Sequence, residues 1–474
     1  MGRNHHAGFR ESRMPIPILL PVVEAAFNCR DAVLCAKQDH SFFGSVWQYV
    51  PVRRMYATFR NQKNSIRLCL PPPSGPVART STKPTGGLTF ASLRQMAFRH
   101  NPALAQARAR VEAARGKQTQ AGLYPNPTIG YHGMQIGLQG TAGQQGMFAS
   151  QRIVTGNKLQ LDTEIAARFV DSEHFHFHSA EQRILTDLQI RSWDVLAAEW
   201  RVRLTEELAT IGEEVVQSTQ RLIDAGQGTQ NDLLQAQIKA DESRILHDNA
   251  RNSSSAAWRK LAVTAGVSEL SPQPLAEELD ARLPDLTWDH AQAIVLTNHP
   301  LLRAARARAV GARTAVCRAE VEPVPDVNVF VSHRHNNVTD EEVTNVQVGV
   351  PVPVFNRNQG NIHAARAEWV RACQEVRQVE LRLKDQLATS WKRYLNARQQ
   401  VERYRQRMVP RAKQSLKLVT DGYDQGQVQY LAVLTAQETF VQVNLRYIDA
   451  LNELRTAASL IEGRLLSGSL ERTR

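Results

Sequence analysis

Three histidines alternate at His174, His176 and His178 in a stretch free of proline. On a helix, His174 and His178 share a face at i, i+4, a spacing able to hold a divalent metal. A closed metal site takes about four ligands, and no third convergent ligand is evident nearby. The other reading is a solvated histidine cluster, and no metal is assigned to the chain. His333 and His335 alternate at the end of an extended stretch and carry less weight. The carboxylates are scattered, with no paired catalytic arrangement. There is no Gly-rich phosphate loop followed by Lys-Ser/Thr and no Gly-x-Ser-x-Gly elbow. Neither an enzyme nor a cofactor is read from these residues. Five cysteines, Cys29, Cys35, Cys69, Cys317 and Cys373, give neither a disulfide framework nor a zinc spacing.

The elements that would position any site are duplicated. Leu88-Thr89-Phe90 returns as Leu286-Thr287-Trp288, Asn101-Pro102 as His299-Pro300, and Ala107-Arg108-Ala109-Arg110 as Ala305-Arg306-Ala307-Arg308. Pro125 and Pro127 return as Pro323 and Pro325, and Ser192-Trp193 as Ser390-Trp391, all at an offset of 198. The offset then becomes 200, where Gly226-Gln227 returns as Gly426-Gln427. This period is far longer than the roughly 20–50 residues of a solenoid repeat. Two like halves packed about a pseudo-axis are expected.

Composition narrows the class. The 474 residues carry a net charge of +12, of which +8 lies in residues 1–86. The basic excess is therefore mostly outside the repeats, and nucleic acid is not an expected partner. No run of about 18 uninterrupted apolar residues exists, which argues against transmembrane helices. Residues 1–86 read as an N-terminal extension, an atypical signal or a misassigned start, ending in proline- and glycine-rich linkers. Residues 87–270 form the first repeat, 271–285 the linker, 286–466 the second repeat and 467–474 a tail.

Each repeat runs in the same order. A helix, about Ala91–Gly122 and Asp289–Glu322, ends at a proline pair. Two strand-like stretches follow, near Thr128–Ile136 and Gln145–Val154 in the first half. In the second half Val327, Val329 and Val331, then Val346, Val348, Val350 and Val352, alternate with period two. Then comes a very long helix. Lys158–Asp224 holds no proline, and its counterpart Asn361–Thr420 holds only Pro410. Sixty-odd residues span on the order of 90–100 Å, which implies coiled-coil-like packing. Glycine-bearing turns at Gly226–Thr229 and Gly422–Gly426 lead to return helices ending near Gly266 and Gly463.

Strands of nine or ten residues suit a tilted bilayer crossing. In lipid only a closed barrel satisfies strand backbone groups, and four strands cannot close one. A membrane-spanning reading therefore requires several copies. The alternative from a different class is a soluble periplasmic coiled-coil scaffold with two hairpin tips.

At these motifs the chain resembles the TolC-type outer membrane efflux family over roughly Leu88–Leu466. Leu123-Tyr124-Pro125-Asn126-Pro127 is similar to the family's approach to its first strand, and Gln151–Lys158 to its strand-to-helix exit. Ala225-Gly226 through Asp232–Ala236, and Val409-Pro410-Arg411-Ala412 with Gly422-Tyr423, resemble its helical tips. Pro351-Val352-Pro353-Val354-Phe355-Asn356-Arg357-Asn358-Gln359-Gly360 resembles the CzcC-like heavy-metal branch. The resemblance implies a mainly α fold with a membrane β-barrel. Long helices would form an α-barrel tunnel, and four strands per chain a 12-stranded barrel in a homotrimer. It implies the outer membrane of a Gram-negative bacterium, extension into the periplasm, contact with outer membrane lipid, a periplasmic adaptor protein and a proton-driven inner-membrane pump. The cargo implied is divalent heavy-metal cations. Drug or organic-compound efflux and type I secretion share the architecture.

Carried over by resemblance, the adaptor-docking and gate tips are Gly226, Gln227, Gly228 and Thr229 in the first repeat and Gly426, Gln427 and Val428 in the second. Asp232, repeated about a trimer axis, would form a carboxylate ring that favours cations. Alone it would be a first-turn aspartate stabilising a helix N-terminus. Ala432 and Thr435, where some family members carry aspartate, are uncharged here.

Overall fold

The computed structural model describes residues 87–470, apart from 141, 227 and 426. The N-terminal extension and the tip residues Gln227 and Gly426 thus lie outside the described residues, as do the last four residues of the tail.

The first repeat comprises α1 (Phe90–His100), α2 (Pro102–Ala121), β1 (Thr128–Met134), β2 (Gln144–Ile153), α3 (Lys158–Asp224) and α4 (Gln230–Thr264). The second comprises α5 (Trp288–Leu296), α6 (Pro300–Val321), β3 (Val327–Asn336), β4 (Glu341–Gly349), α7 (Gln359–Arg403), α8 (Val409–Asp424) and α9 (Tyr430–Glu462). A single π-helical turn, Tyr404–Met408, joins α7 to α8. The 67-residue α3 has the bounds its lack of proline predicts, and at 1.5 Å per residue it is about 100 Å long.

Among the strands, β1 is only seven residues long and β4 ends at Gly349, short of the expected Val350 and Val352. Two expectations about the helices change. The opening helix of each repeat is split, because Pro102 and Pro300 have no amide hydrogen and can occupy only the first turn of a new helix. Asn101 caps α2 by accepting from Ala103 N at 2.9 Å, and its Nδ2 donates to Thr264 O at 2.9 Å. At the duplicated position, His299 Nδ1 accepts from Leu301 N at 3.2 Å, and Nε2 lies 3.0 Å from Arg464 O. Different side chains thus perform one capping task twice. Second, α8 continues through Gly422 to Asp424, so the second turn is shorter than expected.

The four strands form one antiparallel sheet in chain order. The β2–β3 pairing, from Gln144 opposite Asn336 to Ile153 opposite Val327, joins the two repeats. β1 and β4 are left as open edges. Strand alternation sorts the faces. One face exposes Ile129, Tyr131, Met147, Val331, Val346 and Val348. The other carries His132, Ser332, Arg334, Asn345 and Gln347 around Phe148 and Phe330, whose rings stack 5.3 Å apart. Such apolar-out, polar-in alternation is that of a barrel wall in lipid.

The helical core has three clusters. Tyr394, Leu451, Leu454 and Ile461 anchor α7 to α9, while Leu93, Ile184, Leu188 and Leu261 join α1, α3 and α4. A third cluster near the tips contains Val215, Tyr423, Val433 and Leu434. The linker is tied down by polar contacts. The Tyr394 hydroxyl accepts from Leu286 N and donates to Pro284 O, each at 2.9 Å. Arg455 donates to Leu279 O at 3.0 Å and stacks on Trp193. Among the described residues, no helix is long and apolar enough to cross a membrane.

Candidate functional site

The α3–α4 turn is built by a glycine and a capping box. Gly226 adopts φ +75°, a left-handed conformation that costs a side-chain-bearing residue energy. Nothing lies within 4 Å of where its Cβ would be, so that face of the turn is free for another backbone to approach. Thr229 Oγ1 accepts from Asp232 N at 3.2 Å, and Asp232 Oδ2 accepts from Thr229 N at 3.2 Å and from Thr229 Oγ1 at 2.7 Å. Asp232 Oδ2 is therefore engaged at the N-terminus of α4, where the helix dipole also favours its charge. Gly228 lies against Ile223.

The α8–α9 turn is closed differently. Gln427 N donates to Gly422 O at 2.8 Å, and Val428 covers Gly422. Gln429 caps α9 without a side-chain hydrogen bond. The two hairpins meet below these turns. Tyr423 is buried, with its hydroxyl 3.2 Å from that of Thr219. Lys239 Nζ bridges Glu242 at 2.9 Å and Glu438 at 2.7 Å. Those two hydrogen bonds raise the Lys239 pKa.

The histidines do not converge. His174 Nε2 is 3.1 Å from Arg115 Nη2, and His178 Nδ1 is 2.9 Å from Glu181 Oε2, with ring centroids 6.5 Å apart. His176 accepts at Nε2 from Arg308 Nη2 at 3.1 Å. Burial, and then Arg308, lower its pKa, so it is neutral at pH 7. Among the described residues, no group of three or more histidine, cysteine or acidic side chains is arranged to hold a metal ion.

A feature the sequence did not disclose lies where strands meet helices. Gly156 at φ +66° and Asn157 at φ +56° turn the chain from β2 into α3. Lys158, the first residue of α3, is buried, and its Nζ donates to Asp326 Oδ1 at 2.9 Å and to Val324 O at 2.7 Å. Asp326 also accepts from Arg152 Nε at 2.8 Å and from Thr155 N at 3.1 Å. Burial alone would raise the Asp326 carboxyl. Lys158, Thr155 and Arg152 overcome this and hold it at about 2. The signal available was the Gly-Asn-Lys exit followed, one repeat later, by Asp326 after the proline pair. Pairing them required the β2–β3 register. The second repeat makes the same turn with Asn358 at φ +61°, whose Nδ2 donates to Ala319 O at 2.8 Å.

The arrangement offers a sheet with one apolar and one polar face, rigidly clamped to long helices that end in two turns. The sequence profile of the family described as "Outer membrane efflux protein" matches residues 93–267 and 293–462. The chain is 25% identical over 383 residues to "Cobalt-zinc-cadmium resistance protein CzcC" of Cupriavidus metallidurans, covering 80% of this chain and 90% of that relative. It is 22% identical over 326 residues to "Outer membrane efflux protein BepC" of Brucella suis, covering 67% and 71%. Its fold superposes on a crystal structure of CusC, described as concerning folding and transmembrane channel formation. The TM-score is 0.67 at 16% identity, over 80% of this chain and 92% of that one.

Proposed function

The chain belongs to the outer membrane efflux protein family, a family of transport channels, and from that premise we propose that it exports divalent heavy-metal cations as the outer membrane subunit of a tripartite system. The observation that carries the cation reading is the likeness to the cobalt-zinc-cadmium resistance protein, which extends through both repeats. The open edges of β1 and β4 support a homotrimer. Backbone groups in lipid must be paired, and three four-stranded sheets give a 12-stranded barrel. The apolar face would meet lipid and the polar face line the lumen.

In this reading no bond is made or broken by the chain. A periplasmic adaptor and an inner-membrane pump deliver the cation, and the tube lets it pass. The turns at Gly226, Gln227, Gly228 and Thr229 and at Gly426, Gln427 and Val428 are the proposed docking and gate tips. Asp232 from each copy supplies the proposed cation-favouring ring. Residues 87–270 and 286–466 act as the two structural repeats.

The test is metal tolerance of the native host with the gene deleted and restored. Increased sensitivity to zinc, cobalt or cadmium, with unchanged sensitivity to dyes and detergents, is the expected result. The reverse pattern would replace metal cations by organic compounds as the cargo. Chemical cross-linking of detergent-extracted protein is expected to stop at a trimer.

A further inference from the structure

A cleft of about 880 Å³ opens between α2, α3 and α6 beside Gly468–Leu470. Its lining carries three arginines, Arg110, Arg183 and Arg308, and the neutral His176 beside the carboxylate of Glu173, while Glu375 pairs with Arg308 from outside the lining. Arg110 and Arg308 occupy the same position in the two repeats, 198 residues apart. Duplication has delivered two guanidinium groups to one cleft from the helices that flank α3, and α3 adds the third.

Arg308 is held in place, with Nε 3.1 Å from Ser172 Oγ, Nη2 3.1 Å from His176 Nε2 and Nη1 3.7 Å from Glu375 Oε1, so it lends the cleft charge rather than free donors. Among the described residues, Arg110 and Arg183 have neither a hydrogen bond nor an ion pair. A second observation is independent of charge. Ser179 is only 3% exposed, lines the cleft, and its hydroxyl has no partner; the Ser469 hydroxyl is also unpartnered. A buried helical serine ordinarily bonds the carbonyl four residues back, as Ser192 does to Leu188 at 2.8 Å. Buried polar groups left unpaired are rare in folded proteins and call for an explanation.

Donors dominate this cleft. Neutral His176, accepting at Nε2, keeps Nδ1–H as a further donor. The two unpaired guanidinium forks of Arg110 and Arg183, with two hydroxyls and the charge of Arg308 behind them, suit the several oxygens of a tetrahedral dianion better than the two of a carboxylate. The volume falls in the range of small-molecule sites, so the anion can be one end of a larger solute. Position excludes a membrane headgroup. His176 is 18 residues beyond Lys158, about 27 Å along the helix from the base of the strands.

We propose that this cleft binds a phosphate group, free or on a soluble phosphomonoester, through Arg110, Arg183 and Arg308. The test is calorimetric titration of the full-length, detergent-extracted protein with inorganic phosphate and with glycerol 3-phosphate at physiological ionic strength. Saturable binding at one site per chain is expected, weakened at least roughly tenfold by Arg183→Gln and by Arg110→Gln. It is expected to be unchanged by Arg244→Gln, which alters an exposed arginine on α4 paired with Glu213 and Asp241. Tighter binding of glycerol 3-phosphate identifies a phosphomonoester as the source, and equal affinity identifies free phosphate. Phosphate should raise the melting temperature of the wild type but not of the Arg110→Gln protein, which separates lost binding from lost folding. No saturable binding, undiminished binding in both cleft variants, or succinate binding as tightly as phosphate would overturn the proposal.

Discussion

Lys158 Nζ sits 2.9 Å from Asp326 Oδ1 with both side chains buried, an ion pair that ties the first repeat to the second at the base of the strands. Removing one member of a buried pair leaves an uncompensated charge, at a cost of about 3–5 kcal/mol. Asp326→Ala should therefore lower the melting temperature of the detergent-extracted oligomer well below that of Arg371→Ala, as read by heat-dependent gel mobility. Equal melting temperatures would make the pair dispensable.

The same carboxyl gives an acid limit. Its folded pKa of about 2 lies below the ordinary 3.8, so its stabilisation is complete above about pH 4 and lost as pH falls through 2. Melting temperature measured from pH 5 to pH 2 should fall more steeply in the wild type than in Asp326→Asn.

His299 gives a second, milder window. Burial lowers its pKa from 6.5, since the folded chain holds the imidazole neutral between Leu301 N and Arg464 O. The unfolded chain takes up the proton first, so stability is full above pH 6.5 and declines below it. His299→Asn installs the residue the first repeat uses at Asn101 and should flatten the decline between pH 7 and pH 5. His176, also lowered, remains and keeps part of the slope. An unchanged slope would remove His299 from the account.

At the first tip, Thr229→Ala removes the cap hydroxyl from Asp232 N and should cost about 1 kcal/mol. Faster amide exchange at the start of α4, with the rest of the helix unchanged, is the expected readout. A reversal-potential shift in Asp232→Ala but not in Thr229→Ala would support the proposed cation ring, because only the former removes charge.

Gly156→Ala should reduce the yield of folded oligomer. The added Cβ would stand 2.8 Å from Val321 Cγ1 at a residue already at φ +66°. Gly116→Ala, within α2 and with nothing in 4 Å, should instead stabilise by about 0.5–1 kcal/mol.

Much of this fold could be read from periodicity and punctuation. The 67-residue helix follows from a stretch without proline, and the strands follow from alternating valines such as Val327, Val329 and Val331. The helix breaks at Asn101 and His299 were missed, although a residue before proline disfavours helix and should have marked them. Contacts between repeats were not legible. Lys158 and Asp326 are 168 positions apart, and only the strand register brings them together. The arginine cleft was hidden for the same reason, since Arg110 and Arg308 looked like a mere echo in the duplicated sequence.

The unpaired edges of β1 and β4 also have a genetic consequence. A barrel closed in lipid must contain strands from several chains, so no copy is functional by itself. A defective subunit that still folds its strands would enter mixed barrels with good ones. Such an allele would spoil more channels than its own share of the protein, and it would behave as dominant where a simple deletion is recessive.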